Sequence, residues 1–525
     1  MDRSELEQIA RKLPRGKAPG PSLILNEIWT LLAPKISERL SLAISRHFAK
    51  GTLPRSLKES TIVVLKKEQK KDYSLPSSYR PIALEDTLAK LLEKLLADKL
   101  AQAAEEHNLL PWNQMGARKY RSTLSAISLL AACVQTAWKA KPGCVVSMLS
   151  LDLAGAFDNV SHERLLWILR KKCLPEWIVR MVESFLTERR TRITTPGYTT
   201  DWIPTQTGIP QGSPLSPILF LFFISELLET FQRVDSDTFA IGFVDDTNLI
   251  TWGDSAQENC KRLTEAHTKC ISWAERHGAV FAPAKYQLIH FTKRTGNETD
   301  LNSTIQIAGQ PVQLQKSSIR VLGVQIDTRL NWKAHVAHAT RKGIACYNAL
   351  ARLVASTWGP SLRRSRLLYT AIVRPALLYG SQVWGVRHDG EPAANTLLDT
   401  VRKTQNQCLR RVTGGYKRTP IAALEKETGV PPVDLYIDTT ALQRASTTRH
   451  HAVEAEIESL LNQVWTAIRP PPRRQTRGPR AQRTPSRPNQ LRRRAKAREE
   501  EMQQLIAHQR DIARESQNNR NRYRR

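Results

Sequence analysis

Asp245 and Asp246 stand side by side between two short apolar runs, residues 239–244 and 249–252, in the stretch FAIGFVDDTNLITW. The pattern predicts a β-hairpin whose turn carries both carboxylates. Like charges a few ångströms apart resist simultaneous ionisation, so the pair is costly unless a cation sits between them. A third carboxylate, Asp152, ends the strand-like run 145–151 in VVSMLSLDLAGAFD. Three oxygen donors at strand ends suit magnesium, which accepts one or two carboxylates and fills its other positions with water and substrate phosphates. The chemistry implied is two-metal phosphoryl transfer. By itself an Asp-Asp at a turn is a common turn former. What distinguishes this pair is ordered context: Phe157 five residues after Asp152, then GIPQGSPLSPILF at 208–220, then FVDD at 243–246.

Positioning these groups requires a mixed α+β scaffold. Residues 4–140 alternate helical stretches with loops and include the amphipathic run 87–104. Ser4 and Glu7 have the spacing of a helix capping box. Residues 145–292 mix strands and helices, with a helix over 256–277 crossing from FVDD to the strand in AKYQLIHF. The apolar run 218–224 follows Ser-Pro and reads as the start of a buried helix; it is far short of the roughly 20 residues a bilayer span needs. VLGVQID at 321–327 is rich in β-branched residues and leads through NWKAHV into a mostly helical region ending near residue 451. Arg80 precedes a proline that fixes the local backbone, and a guanidinium fork on a rigid turn suits a triphosphate. In the turn Pro210-Gln211-Gly212, the glycine permits close backbone approach.

Taken in order, these blocks resemble the reverse transcriptase domain of non-LTR (LINE-like) retrotransposons, over most of residues 15–440. The same pattern is visible in KAPGP at 17–21, in YRPIAL at 79–84 followed by Lys90 and Glu93, and in QMGARKYRST at 114–123. It continues in APAKYQLIHF at 282–291, VLGVQID, and IVRPALLYGSQVW at 372–384. The resemblance implies a right-hand polymerase: fingers over 1–140, a palm with the primer grip over 141–330, a helical thumb over 331–460, and a basic low-complexity tail over 461–525. It implies that Asp152, Asp245 and Asp246 hold two Mg²⁺ ions, with Mn²⁺ as a substitute. Phe157 resembles the aromatic gate that excludes a ribose 2′-hydroxyl, and Arg80, Gln211 and Gly212 resemble contacts to the incoming nucleotide. Lys285 matches a lysine that protonates departing pyrophosphate, a role open to a lysine of tuned pKa. Leu322 and Gly323 fall in the primer grip. Ser22 stands where the family usually carries Asp, a change that bears on how the amino-terminal loop docks rather than on the metal carboxylates.

The implied partners are an RNA template, a DNA primer and deoxynucleoside triphosphates. Composition agrees: 525 residues with a net charge of +30 and a pI near 10.1 favour a polyanion, because a basic protein gains affinity by releasing counterions from nucleic acid. No secretory signal or membrane span is expected, which predicts an intracellular protein, nuclear or mitochondrial. Seven cysteines without C-x-x-C or metal-ligand spacing predict reduced thiols and no zinc. Residues 471–525 hold 17 Lys plus Arg against 5 Asp plus Glu, too few apolar groups to offset ordering entropy. They are expected to be disordered to about 490, with a basic helix over 491–516, and residues 492–496 form a cluster of nuclear-import type. The family's upstream endonuclease and downstream ribonuclease H have no counterpart in the motifs, so the chain reads as a piece of a mobile element. Two alternatives stand beside the polymerase: a catalytically inactive nucleic-acid-binding remnant, and a group II intron-type or mitochondrial reverse transcriptase.

Overall fold

The computed structural model describes residues 3–446 apart from 69, 71, 233–237, 295–297, 353–358 and 386–392. The expectations for the basic tail therefore lie outside the described residues.

The chain opens with two helices, α1 (Arg3–Arg11) and α2 (Asn26–Lys50). Helix α1 includes Ser4, so that serine lies inside the helix and does not cap it. Strands β1 (Glu59–Lys66) and β2 (Tyr79–Glu85) pair antiparallel with Val63 opposite Ile82. Helix α3 (Thr87–Glu106) follows and buries Leu91, Leu92, Leu95, Leu96 and Leu100, the stripe expected of a 3.6-residue period. Next comes α4 (Thr123–Ala140), capped by the Ser122 hydroxyl, which accepts from the Ser125 amide.

Strand β3 (Val145–Leu151) delivers Asp152 as the sequence predicts. Helices α5 (His162–Lys171) and α6 (Glu176–Leu186) lead to three short strands, β4 (Arg189–Thr195), β5 (Tyr198–Thr199) and β6 (Ile203–Thr205). These strands lie within 141–330 but join the first sheet, where β4 runs parallel to β1 with Glu59 opposite Arg190. Helix α7 (Ser216–Glu229) is buried almost all round. After it come β7 (Thr238–Phe243), β8 (Asp246–Gly253), α8 (Ala256–His277) and β9 (Gln287–Phe291), and then the two-residue strands β10 (Gln306–Ile307) and β11 (Gln310–Pro311), which pair with each other. Helix α8 ends at Gly278, whose φ of 67° is the left-handed conformation a glycine adopts without strain.

The second sheet has the order β12-β9-β3-β8-β7, where β12 is Gln313–Leu314. Its two faces feed two cores, as a period of two dictates. Leu149 and Leu151 of β3, Ala240 of β7 and Leu249 of β8 pack with α5, α7 and α8. Val146, Met148, Phe239, Ile241, Ile250 and Trp252 face α4 on the other side. The second core continues into the hairpin of β13 (Ser318–Val321) and β14 (Val324–Asp327) and on to Trp332, Leu377 and Trp384. A third, smaller cluster joins Tyr369, Val373, Cys408, Leu409, Leu424 and Val430 in the helical region that follows. No helix among the described residues is long and apolar enough to cross a membrane, and all seven cysteines are free thiols.

Candidate active site

Two strand ends bring the three aspartates together. β3 and β8 run antiparallel through the pair Leu151–Thr247, so the next residue on each strand, Asp152 and Asp246, lies at the same end of the sheet. The hairpin closes with Phe243 opposite Asp246. Val244 and Asp245 form a two-residue turn, and Asp246 opens β8 and is not part of the loop. Val244 has φ 58°, a left-handed conformation that a β-branched residue adopts only at a cost of roughly 1–3 kcal/mol. The carbonyl of Asp152 accepts from the Ala282 amide at 2.8 Å, which docks the loop before Lys285 against the end of β3.

The electrostatics are those of crowded acids. Burial, reinforced by the neighbouring Asp245 and Asp152, pushes the Asp246 carboxyl up to about 6. Asp245 is raised as well, first by burial and then by Asp152, while backbone amides and Lys285 pull the other way. Lys285 Nζ lies 2.6 Å from Asp152 Oδ1, so this lysine is the ion-pair partner of one of the three carboxylates. Among the described residues no group of three or more His, Cys, Asp or Glu side chains is placed so that it could hold a metal ion as it stands. Nonetheless, three hard oxygen donors, two of them raised by burial and by Asp152, are of the type a divalent magnesium ion takes.

Around the acids lies a cationic and hydrogen-bonded wall. Arg80 is exposed on β2. Lys67, a residue not singled out from the sequence, feels Arg80 and Lys285 as repulsive neighbours and Asp152 as an attractive one, which places all four groups in one field. Its position just after β1 gave no motif signal; pairing of β1 with β2 brings it to the site. Phe157 is half-buried, and its ring stacks on Phe220 at 5.1 Å and 11°. Gln211 donates from Nε2 to both carboxylate oxygens of Asp158, at 3.1 and 3.3 Å, and its carbonyl accepts from Ala83 N at 2.8 Å. At Gly212, φ is 135° and an added Cβ would lie 2.5 Å from the Ala83 carbonyl oxygen. The turn of GIPQGSP is thus seated directly on β2.

Beneath that contact is a buried charge cluster that motif reading did not foresee. Arg189 Nη2 donates to Glu85 Oε1 with both side chains almost fully buried. The Ser213 hydroxyl donates to Glu93 Oε2 at 2.7 Å. Burial and the adjacent Glu85 raise Glu93 well above the usual carboxylate range, against the pull of Arg189. A hydrogen bond between the Glu93 and Glu85 side chains adds to the rise, and buried Glu85 Oε2 has no other partner.

Leu322 and Gly323 form the tip of the β13–β14 hairpin, with φ 47° and 85°. Tyr379 holds that tip by donating from its hydroxyl to the Leu322 carbonyl at 2.9 Å. At the amino-terminal loop, Ser22 N donates to Asp86 Oδ1 at 2.8 Å, and Thr87 Oγ1 donates to the Ile24 carbonyl at 2.8 Å. The loop therefore docks with serine at position 22, because the carboxylate it uses comes from Asp86.

Residues 65–326 match the family of reverse transcriptases (RNA-dependent DNA polymerases). The chain is 27% identical over 432 residues to the RNA-directed DNA polymerase from mobile element jockey of Drosophila melanogaster, covering 81% of this chain and 45% of that protein. It is 27% identical over 412 residues to the probable RNA-directed DNA polymerase from transposon BS of the same organism, covering 78% and 44%. The putative 115 kDa protein of its type-1 retrotransposable element R1DM is 26% identical over 438 residues, covering 82% and 40%. The chain spans less than half the length of these relatives. Among solved structures, apo telomerase from Candida tropicalis aligns with a TM-score of 0.38 at 13% identity, over 82% of this chain and 73% of that one.

Proposed function

We propose that this chain, whose residues 65–326 are a reverse transcriptase domain of the non-LTR retrotransposon kind, extends a DNA primer on an RNA template. The observation that carries the reading is the convergence of Asp152, Asp245 and Asp246 at one sheet end, where burial and the neighbouring Asp152 raise both Asp245 and Asp246. Their carboxylates would hold two Mg²⁺ ions. Bound there, the ions would supply activation of the primer 3′-hydroxyl and stabilisation of the leaving pyrophosphate.

The other assignments follow the geometry. Arg80 and Lys67 bind the triphosphate, since Lys67 lies within the field of Asp152 and Arg80 is its neighbour on the β1–β2 side. The backbone contact of Gln211 and Gly212 with Ala83 fixes the floor of the nucleotide pocket. Phe157, immobilised on Phe220, excludes a ribose 2′-hydroxyl. Lys285 leaves Asp152 when the carboxylates are neutralised and donates its proton to pyrophosphate. The Leu322–Gly323 tip supports the primer end. We assign β1, β2 and β4–β6 with the first three helices to the fingers, the five-stranded sheet of β3 to the palm, and the helices after Asp327 to the thumb.

Primer extension on poly(rA)/oligo(dT) tests this. Deoxynucleotide incorporation is expected from the wild type and its loss from Asp245→Ala. A wild type that binds the duplex without extending it would establish the inactive nucleic-acid-binding remnant instead.

A further inference from the structure

Strand β7 is the edge of the five-stranded sheet, and it carries the catalytic turn. Its outward backbone groups need partners. The segment around 113–116 supplies them: Gly242 N donates to the Asn113 carbonyl at 3.0 Å, and Met115 N donates to the Gly242 carbonyl at 2.7 Å. Gln114 lies parallel to Gly242 as a one-residue bridge. Asn113 is itself buried and donates from Nδ2 to the carbonyls of Leu228 and Ala240. A short segment is thus bridged to the hairpin at the start of the QMGARKYRST block, which has no role in the chemistry assigned above.

Gln114 is fully buried. Its Oε1 accepts two amides at 3.2 Å, that of Gly116 and that of Val244. Val244 is the strained residue of the turn, and its amide sits at the first central position of the turn, outside the ladder that ends at Phe243–Asp246. Gly116 closes over the same residue so tightly that a Cβ there would lie 2.5 Å from Val244 N. Nothing in the FVDD sequence itself favours φ 58° at a valine; the hold comes from outside the hairpin.

We infer that Gln114 is a positioning residue for Asp245 and Asp246: its side-chain oxygen, with Gly116 packed behind it, fixes the left-handed Val244 and so sets where the two carboxylates point. The inference rests on the polymerase reading for its kinetic consequence, though not for its geometry. The acceptor end of Gln114 is occupied, while Nε2 has no hydrogen-bond partner. Gln114→Met keeps the volume and removes both polar ends, so it separates loss of the acceptor from loss of packing.

The test uses the full chain with Gln114→Met, Val244→Gly and the double variant. In Gln114→Met we expect a thermal midpoint near that of the wild type and faster hydrogen exchange at the Val244 amide. We also expect kcat lower by about tenfold to a hundredfold, the scale of a misplacement near 1 Å, with KM for deoxynucleotide nearly unchanged. The Mg²⁺ concentration for half-maximal rate rises, and the thermal shift caused by Mn²⁺ shrinks. Val244→Gly added to Gln114→Met restores kcat in large part, because glycine adopts the turn without a brace. Wild-type kcat and Mg²⁺ midpoint in Gln114→Met, or no restoration by glycine, overturns the assignment. If the wild type extends no primer, the polymerase reading fails by itself. The brace is then decided by Val244 exchange and by the Mn²⁺ thermal shift, where equality of wild type and Gln114→Met overturns it.

Discussion

Single side chains at the site show how far residue type alone carries. The three aspartates were legible from the ordered context of Asp152, GIPQGSPLSP and FVDD, since an Asp-Asp at a turn is by itself a common turn former. Lys285 was legible as a lysine of this site but not as the partner of Asp152, since ion pairing between positions 133 residues apart depends on how the loop at 282–285 docks on β3. Glu93 was visible only as a motif letter; its chemistry comes from burial beside Glu85 and Arg189. Burial and the neighbouring Glu85 push the Glu93 carboxyl well above the usual range, against the pull of Arg189, and so favour its neutral form. Facing the pair are Arg189 from β4 and Ser213 from the turn of GIPQGSP, with buried Lys58 beyond Arg189. The sign follows from a folded pKa raised above the unfolded value of 4.5. Stability from neutral Glu93 is complete below 4.5 and declines as pH rises toward the raised value, because the unfolded chain releases its proton first. Glu93→Gln mimics the protonated acid and has no such decline. The difference in thermal midpoint, variant minus wild type, is therefore expected to grow between pH 5 and pH 8. A difference constant across that range would show Glu93 to be ionised in the fold.

At the level of elements, periodicity located what is locally encoded. The predicted helix over 256–277 and strand over 145–151 appear with those bounds, because each has an unambiguous period and a clear stop. The amphipathic run at 87–104 extends to Glu106. What the sequence could not convey is pairing at a distance. Strand β4 joins β1 across more than a hundred residues in parallel register, and no local signal says which sheet a run such as RRTRITT will choose. The seat of the GIPQGSP turn on β2 is of the same kind: Gly212 announced a close approach but not its partner. With the partner known, a consequence follows. Gly212→Ala sets a methyl 2.5 Å from the Ala83 carbonyl oxygen at a φ of 135°, and both are backbone features that cannot rotate aside. The turn must lift from β2, breaking the bond from Ala83 N to the Gln211 carbonyl. KM for deoxynucleotide should rise by an order of magnitude or more, about 1.4 kcal/mol per tenfold, while affinity for the primer–template duplex stays close to wild type. An unchanged KM would detach this turn from the nucleotide pocket.

For the whole molecule, the dominant fact is charge. A net +30 over 525 residues creates a field that concentrates any polyanion around a site whose own floor is acidic. On the proposed reading the two signs would have different tasks: surface cations would hold the nucleic-acid backbone, and a few carboxylates would hold the ions. Of that charge, +12 lies in residues 471–525, beyond the sheets and helices described above. If these cations contact phosphates, they contribute affinity without contributing to the site, since every group assigned to catalysis falls between positions 67 and 323. Each neutralised phosphate adds about 0.7 to 0.9 to the slope of log affinity against log salt. The full chain is expected to bind an RNA–DNA duplex with a steep negative slope. A chain ending at residue 470 should show a shallower one and keep the same rate of incorporation once the duplex is saturating. Equal slopes for the two chains would mean that the tail cations do not touch nucleic acid. A lost rate at saturation would mean that the tail belongs to the catalytic machinery, and the division of labour between field and floor would have to be redrawn.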